Sequence, residues 1–146
     1  MRIWVMSMSF KGGIKEAAKL LMGLLPEKRM KVLRLMQKIN PQLALQIGDN
    51  LYEINDILRL ETRSFNELLK SVAIIDLALS FKLSTEEDKN SLLKRLPKLN
   101  QQEFNEVLYE HKVSKDKVLL AQSKILKILG EQIDSAVWFF ENSDRV

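Results

Sequence analysis

Apolar residues recur along this chain at helical rather than alternating spacing. Over residues 13–25 the set Ile14, Ala17, Ala18, Leu21, Leu24 and Leu25 follows i, i+3, i+4, i+7, the spacing of one face of an α-helix. Pro26 stops that helix and suits the first turn of the next, where its missing N–H is no loss. Residues 27–39 repeat the pattern through Met30, Val32, Leu33, Leu35, Met36 and Ile39. The pair Asn40-Pro41 breaks it again, with Asn40 placed to cap a third helix. That helix is expected from Pro41 to about Ile54, carrying Leu43, Leu45, Ile47 and Leu51 and weakened by Gly48. Around residues 55–60 the periodicity lapses, which reads as a linker.

The second half is helical too. Thr62 is placed to cap a helix through Phe65, Leu68, Leu69 and Val72. Residues 73–82 are apolar nearly all round, the mark of a buried helix. Ser84 to Glu87 reads as a capping box, Ser84 bonding forward and Glu87 reaching back. The helix behind it carries Leu92, Leu93 and Leu96 and ends at Pro97. A further helix over residues 100–110 holds Phe104, Val107 and Leu108. Ser114 then caps a long helix expected to reach about Phe140, in which Gly130 costs ~1 kcal/mol against Ala and marks a kink or close contact. No stretch favours a strand, so the fold class is all-α.

Composition narrows the chemistry. The chain has 146 residues, 46% hydrophobic and 29% charged, which is the make-up of a folded protein of one domain or two small packed parts. It has no Cys and a single His, His111. Disulfides, thiol nucleophiles and cysteine or multi-histidine metal sites are thereby excluded. His111 has no aligned Ser and Asp around it, and no phosphate-binding loop or dinucleotide fingerprint is present, so no cofactor is expected. The longest apolar stretches fall short of the ~20 residues a membrane span needs. Residues 1–11 have an apolar body but are too short for a signal peptide, and read as an N-terminal extension or linker remnant. The cytoplasm is the expected compartment.

The net charge of +4 is unevenly divided. Residues 1–40 hold nine basic and two acidic groups, leaving 14 basic and 17 acidic groups beyond them. A basic first third fits nucleic acid, an anionic surface or an acidic protein partner. A nucleic-acid module is the alternative this raises, but past Phe10 the basic third has no aromatic to stack on a base. In the second half Glu103, Glu106 and Glu110 fall at i, i+3, i+7 and form one acidic stripe, with Lys94, Arg95 and Lys98 before it and Lys112, Lys115 and Lys117 after. Such a band is either ordinary solvated surface or a docking face for a partner of complementary charge. Glu86, Glu87 and Asp88 fall in a helix first turn, where the dipole explains them better than paired-acid catalysis.

Four segments in order carry a resemblance: Gly12-Gly13-Ile14-Lys15-Glu16-Ala17-Ala18, Asn40-Pro41-Gln42-Leu43-Ala44, Glu61-Thr62-Arg63-Ser64-Phe65, and Asp76-Leu77-Ala78-Leu79-Ser80-Phe81-Lys82. With them the chain resembles the C-terminal part of the FliG family of flagellar motor switch proteins, over about residues 12–140. The resemblance implies an armadillo-like helical unit (residues 12–54), then a six-helix domain (residues 55–146) ending in a long helix. It implies a rotor component at the cytoplasmic face of the inner membrane rather than an enzyme. The family's helical unit packs on the middle domain of a neighbouring copy and touches FliM, while charges on the last domain meet the stator protein MotA. The family's upstream domains are not in this sequence.

Carried over by residue, Lys82 matches the family's functional lysine, and Glu106 stands for the first of two neighbouring aspartates. Val107 occupies the second aspartate position, Leu99 that of the torque-helix arginine, and Ser114 that of a later arginine beside Lys115. The expected stator-facing charges are therefore Lys82, Lys98, Glu103, Glu106, Glu110 and Lys115. The expected hinges are Gly12 and Gly13, and Leu51, Tyr52, Glu53 and Ile54 in place of Met-Phe-x-Phe.

Overall fold

The computed structural model describes residues 13–141. The expected N-terminal extension and Gly12 lie outside the described residues. The chain divides between Tyr52 and Glu53 into two units, each with its own core.

The first unit is three helices: α1 (Ile14–Met22), α2 (Pro26–Ile39) and α3 (Pro41–Asp49). Its core is Ala17, Ala18 and Leu21 of α1 against Ile47 of α3, where the two alanines let the helices come close. Val32, Leu33 and Met36 pack on this core from α2, which itself has no fully buried residue. Asn40 caps α3 as expected, its side chain accepting the Leu43 N–H at 3.2 Å. The third helix stops at Asp49, earlier than the apolar pattern suggests. The N–H groups of Asn50 and Leu51 bond back to the Ile47 and Gly48 carbonyls, and the Asn50 amide donates to the Gln46 carbonyl. This tightened last turn ends the helix where Gly48 has already weakened it.

The second unit opens with a 3-10 helix over Ile54–Arg59, not a linker. Ile57 and Leu60 are fully buried, and with Ile54 they repeat every three residues. A spacing of three is the 3-10 period, which explains the lapse in the 3.6-residue pattern. Five α-helices follow: α4 (Thr62–Ser71), α5 (Ile74–Ser80), α6 (Glu86–Arg95), α7 (Lys98–Glu110) and α8 (Lys115–Asp134). Short α5 lies at the centre, packed against both α7 and α8. Around it Phe65, Leu77, Phe81, Leu92, Phe104 and Leu129 are buried, each to 2% exposure or less. Ile75, by contrast, is exposed, so α5 is not buried on every side.

Two caps differ from expectation by one residue. Thr62 begins α4 rather than capping it; the cap position is Glu61, whose carboxylate accepts the Ser64 hydroxyl. At α6 the cap is Thr85, not Ser84, accepting the Asp88 N–H at 3.1 Å. Ser114 caps α8 as expected, accepting the Lys117 N–H.

The last helix ends at Asp134, not near Phe140. Ala136 takes a positive φ of 58°, and the N–H groups of Val137 and Trp138 both bond to the Gln132 carbonyl. This reversal buries Trp138, which a continued helix would carry away from the core. The chain then runs beside the 3-10 helix. Glu61 N–H bonds to the Phe139 carbonyl and Glu141 N–H to the Arg59 carbonyl, framing an antiparallel bridge between Leu60 and Phe140. The Phe139 N–H donates to Ser64 Oγ at 2.8 Å, and the Arg59 guanidinium stacks 4.3 Å from the Phe140 ring centre.

Arg95, at the end of α6, ties these pieces together. Its guanidinium donates to the carbonyls of Ile57, Leu58 and Leu60 at 3.4, 3.1 and 2.7 Å and lies 4.2 Å from the Phe65 ring centre. Replacing it removes hydrogen bonds to three carbonyls, of which that of Ile57 keeps the Leu60 N–H, and a cation–π contact. Arg95→Met is expected to destabilise the fold by roughly 2–4 kcal/mol. Arg95→Lys should recover less than half of that, because one ammonium cannot span three carbonyls. Urea unfolding of the three proteins measures both.

Candidate functional site

The acidic stripe lies on α7, whose two sides are sharply different. Phe104, Val107 and Leu108 face inward and are buried. Gln102, Glu103, Glu106, Tyr109 and Glu110 face outward and are exposed. Lys98 is the first residue of the helix and is exposed, as is Lys115 at the start of α8. Beside the stripe, between α6 and α7, runs an open groove of about 890 Å³ lined by residues that include Asn90, Leu93, Lys98, Asn105 and Glu106.

The charges of α7 run against the helix dipole. Its first turn has no acid and its last turn no base. The neighbouring α6 follows the usual order, with Glu86, Glu87 and Asp88 first and Lys94 and Arg95 last. Acids near a helix C-terminus forfeit a few tenths of a kcal/mol to about 1 kcal/mol of stabilisation. The α7 arrangement is therefore not one that favours the helix itself.

Lys82 supplies what α7 lacks. It lies in the turn after α5, half-buried, and its Nζ donates to the Leu108 carbonyl at 3.0 Å and to the His111 carbonyl. Burial pushes its pKa down, and the Lys89 ammonium adds to that. Among the described residues no carboxylate pairs with it, so the carbonyls at the end of α7 are its acceptors.

Leu99, Val107 and Ser114, the positions expected to differ from the family, lie in three different settings. Leu99 is 94% exposed, an apolar side chain standing in solvent. Val107 is 2% exposed, and a charge there would be buried rather than presented. Ser114 is committed to capping α8. Of the residues expected as hinges, Gly13 precedes α1 with a φ of 94°, a conformation that favours glycine, while Leu51, Tyr52, Glu53 and Ile54 span the division between the units. The Tyr52 N–H bonds to Met22 Sδ, and Glu53 begins the 3-10 helix with its N–H on the Asp56 carboxylate.

On the first unit, Lys28, Lys31, Arg34 and Lys38 are exposed on α2. Among them are exposed Met30 and Leu35, and Leu45 is exposed on α3. A shallow groove of about 250 Å³ between α2 and α3 is lined by Met30, Leu33, Ala44 and Leu45 among others. No aromatic residue occurs from 13 to 51. Among the described residues no group of acids and histidine is arranged to hold a metal ion, and no helix is long and apolar enough to cross a membrane.

One part of the site was not foreseen from the sequence. At the end of the α6–α7 groove Tyr109 Oη donates to Glu86 at 2.8 Å, Lys89 pairs with Glu86 at 3.3 Å, and the Lys89 ammonium lies 5.6 Å from the Tyr109 ring centre. The 23-residue separation of Tyr109 from Glu86 leaves no local signal. The Tyr109 hydroxyl and Lys89 hold the Glu86 carboxyl below its ordinary value of 4.5, and the phenol is raised in turn. A lowered carboxyl stabilises the fold at pH above its unfolded value and loses that contribution as pH falls through the lower folded value. Carbon-13 titration should therefore place the Glu86 midpoint below 4.5. Tyr109→Phe is expected to move it back upward, since the hydroxyl is the leading cause.

Comparison with known proteins gives one family. A family model described as the FliG C-terminal domain matches residues 34–136. The flagellar motor switch protein FliG of Thermotoga maritima is 32% identical over 119 residues, covering 81% of this chain but 36% of that protein, so the chain spans about a third of its relative. A crystal structure of FliG residues 86–343 from H. pylori superposes with a TM-score of 0.64 at 24% identity, covering 92% of this chain and 65% of that one. Full-length FliG from Aquifex aeolicus gives 0.53 at 25% identity, over 89% and 42% respectively. The all-α architecture, an armadillo-like unit followed by a helical bundle with a long last helix, is shared with these structures. With most of its length matched by the family model and by the Thermotoga protein, this chain belongs to the FliG C-terminal domain family.

Proposed function

We propose that this chain acts as a rotor and switch part of the flagellar motor, a structural rather than catalytic role. Its second unit presents α7 to the stator protein MotA. The observation that carries this reading is the sidedness of α7. Phe104, Val107 and Leu108 anchor it in the core, while Glu103, Glu106 and Glu110 stand outward between Lys98 and Lys115. Charges held this way on a rigid helix set the approach and register of a partner more than its affinity. Where the family positions are changed, Lys98 beside Leu99 and Lys115 beside Ser114 supply the basic charge, and the acids of the stripe supply the negative one.

The first unit serves as the assembly element. Its groove between α2 and α3, with Met30 and Leu45 exposed, suits packing on the middle domain of an adjacent FliG-like copy, and contact with FliM belongs to the same unit. The basic row on α2 favours acidic partner helices. Without an aromatic beside it, nucleic acid is the weaker fit. Residues 51–54, at the division between the two units, act as a hinge, and the assembly lies at the cytoplasmic face of the inner membrane.

Deletion and complementation in the motile cell that carries the gene tests this. Loss of the gene is expected to alter swimming or reversal, and a fluorescent fusion to localise at the motor. Glu106→Lys, at an exposed position, should leave stability within about 0.5 kcal/mol yet reduce swimming speed severalfold. Unchanged swimming together with no localisation at the motor would overturn the proposal.

A further inference from the structure

The Lys82 ammonium comes from a different element and donates to backbone carbonyls at the end of α7, whereas Lys89 approaches that end through the Tyr109 ring. Lys82 donates to the carbonyls of Leu108, the last buried core residue of the helix, and His111, the residue just past its end. These are carbonyls that a helix leaves without internal partners, and they carry the negative end of its dipole. The need for an outside cation is unusually great in this helix. Glu106 and Glu110 add negative charge to the same end, the last turn has no base, and His111 leaves the helix in extended conformation. Lys82 has no carboxylate partner among the described residues, so its geometry is that of a cap.

We infer that Lys82 is a positioning residue: it clamps the C-terminal end of α7 so that Glu106 and Glu110 stand at a fixed height and angle, and it does not itself meet the partner. The matched lysine thus acts through α7 rather than through direct charge contact. Its functional consequence rests on the docking role proposed for α7, whereas the clamp itself does not. Two of the three N–H donors of the ammonium are spent on these carbonyls, so drawing it onto a partner's carboxylate would strip the helix end of its counter-charge.

Amide hydrogen exchange on this chain, paired with swimming assays of the same variants, tests the inference. Lys82→Met keeps the alkyl stem and removes the charge. It is expected to speed exchange in the last turn of α7 about tenfold, with the amides of α5 and the middle of α8 unchanged. Lys82→Gln, which keeps an uncharged N–H donor group for these carbonyls, should fall between Lys82 and Lys82→Met and serves if the methionine variant does not fold. Lys82→Arg should restore both exchange protection and swimming. Glu106→Lys is the reference: it should lower swimming without loosening the helix end. Unaltered exchange in both Lys82→Met and Lys82→Gln would overturn the inference. So would an arginine variant that restores swimming while the helix end stays loose, since that is the behaviour of a direct charge contact. If Glu106→Lys leaves swimming untouched, the docking role fails by itself, and the clamp stands or falls on exchange alone.

Discussion

Every helix ends with carbonyls that its own backbone cannot satisfy, and meeting that need shapes this molecule more than any other single demand. A glycine in left-handed conformation is the common solution, but the chain has only five glycines, and the one that ends α1, Gly23, is right-handed. Long polar side chains from elsewhere in the chain act in its place. Arg29 of α2 donates to the Leu21 and Leu24 carbonyls at the end of α1. Gln101 of α7 donates to Leu93 and Leu96 at the end of α6, and Gln122 of α8 to Ser80 at the end of α5. Arg95 does the same for the 3-10 helix with three carbonyls at once. Each of these caps ties one element to the end of another, so satisfaction of the backbone and mutual placement of the helices are a single event.

This economy explains how α7 tolerates a charge pattern opposed to its dipole. Its inward residues secure it laterally, and an ammonium from the turn after α5 compensates its negative end. Apart from Tyr109, which bonds to Glu86 of α6, the outward face carries no part of the core, and acids can be placed on it. Val107 is core and Ser114 is a cap, so neither position is open to a charge that faces solvent. Packing and capping thus decide which positions along α7 and at the start of α8 remain open to charge.

What was legible in the sequence follows the range of the interactions. The caps at Asn40 and Ser114 span three residues and could be read directly. So could the exposure of Glu103, Glu106 and Glu110, since the same periodicity that puts Phe104, Val107 and Leu108 inside puts these outside. The 3-10 helix escaped because its three-residue period resembles no amphipathic α-helix. The end of α8 escaped because the burial of Trp138 and the pairing with residues 59–61 are set by a segment some 75 residues earlier. The Lys82 clamp and the Tyr109–Glu86 bond are likewise long-range, 26 and 23 residues apart. The ordered motifs pointed to the family, but only the contacts show what Lys82 holds.

The strap beside the 3-10 helix has a mechanical consequence. Because Glu61 and Phe139, and Arg59 and Glu141, are joined by backbone hydrogen bonds, the bundle receives and releases the chain at one corner. Tension along the chain therefore loads these two bonds and the stacked Arg59–Phe140 pair first, and reaches the buried helices only after that corner parts.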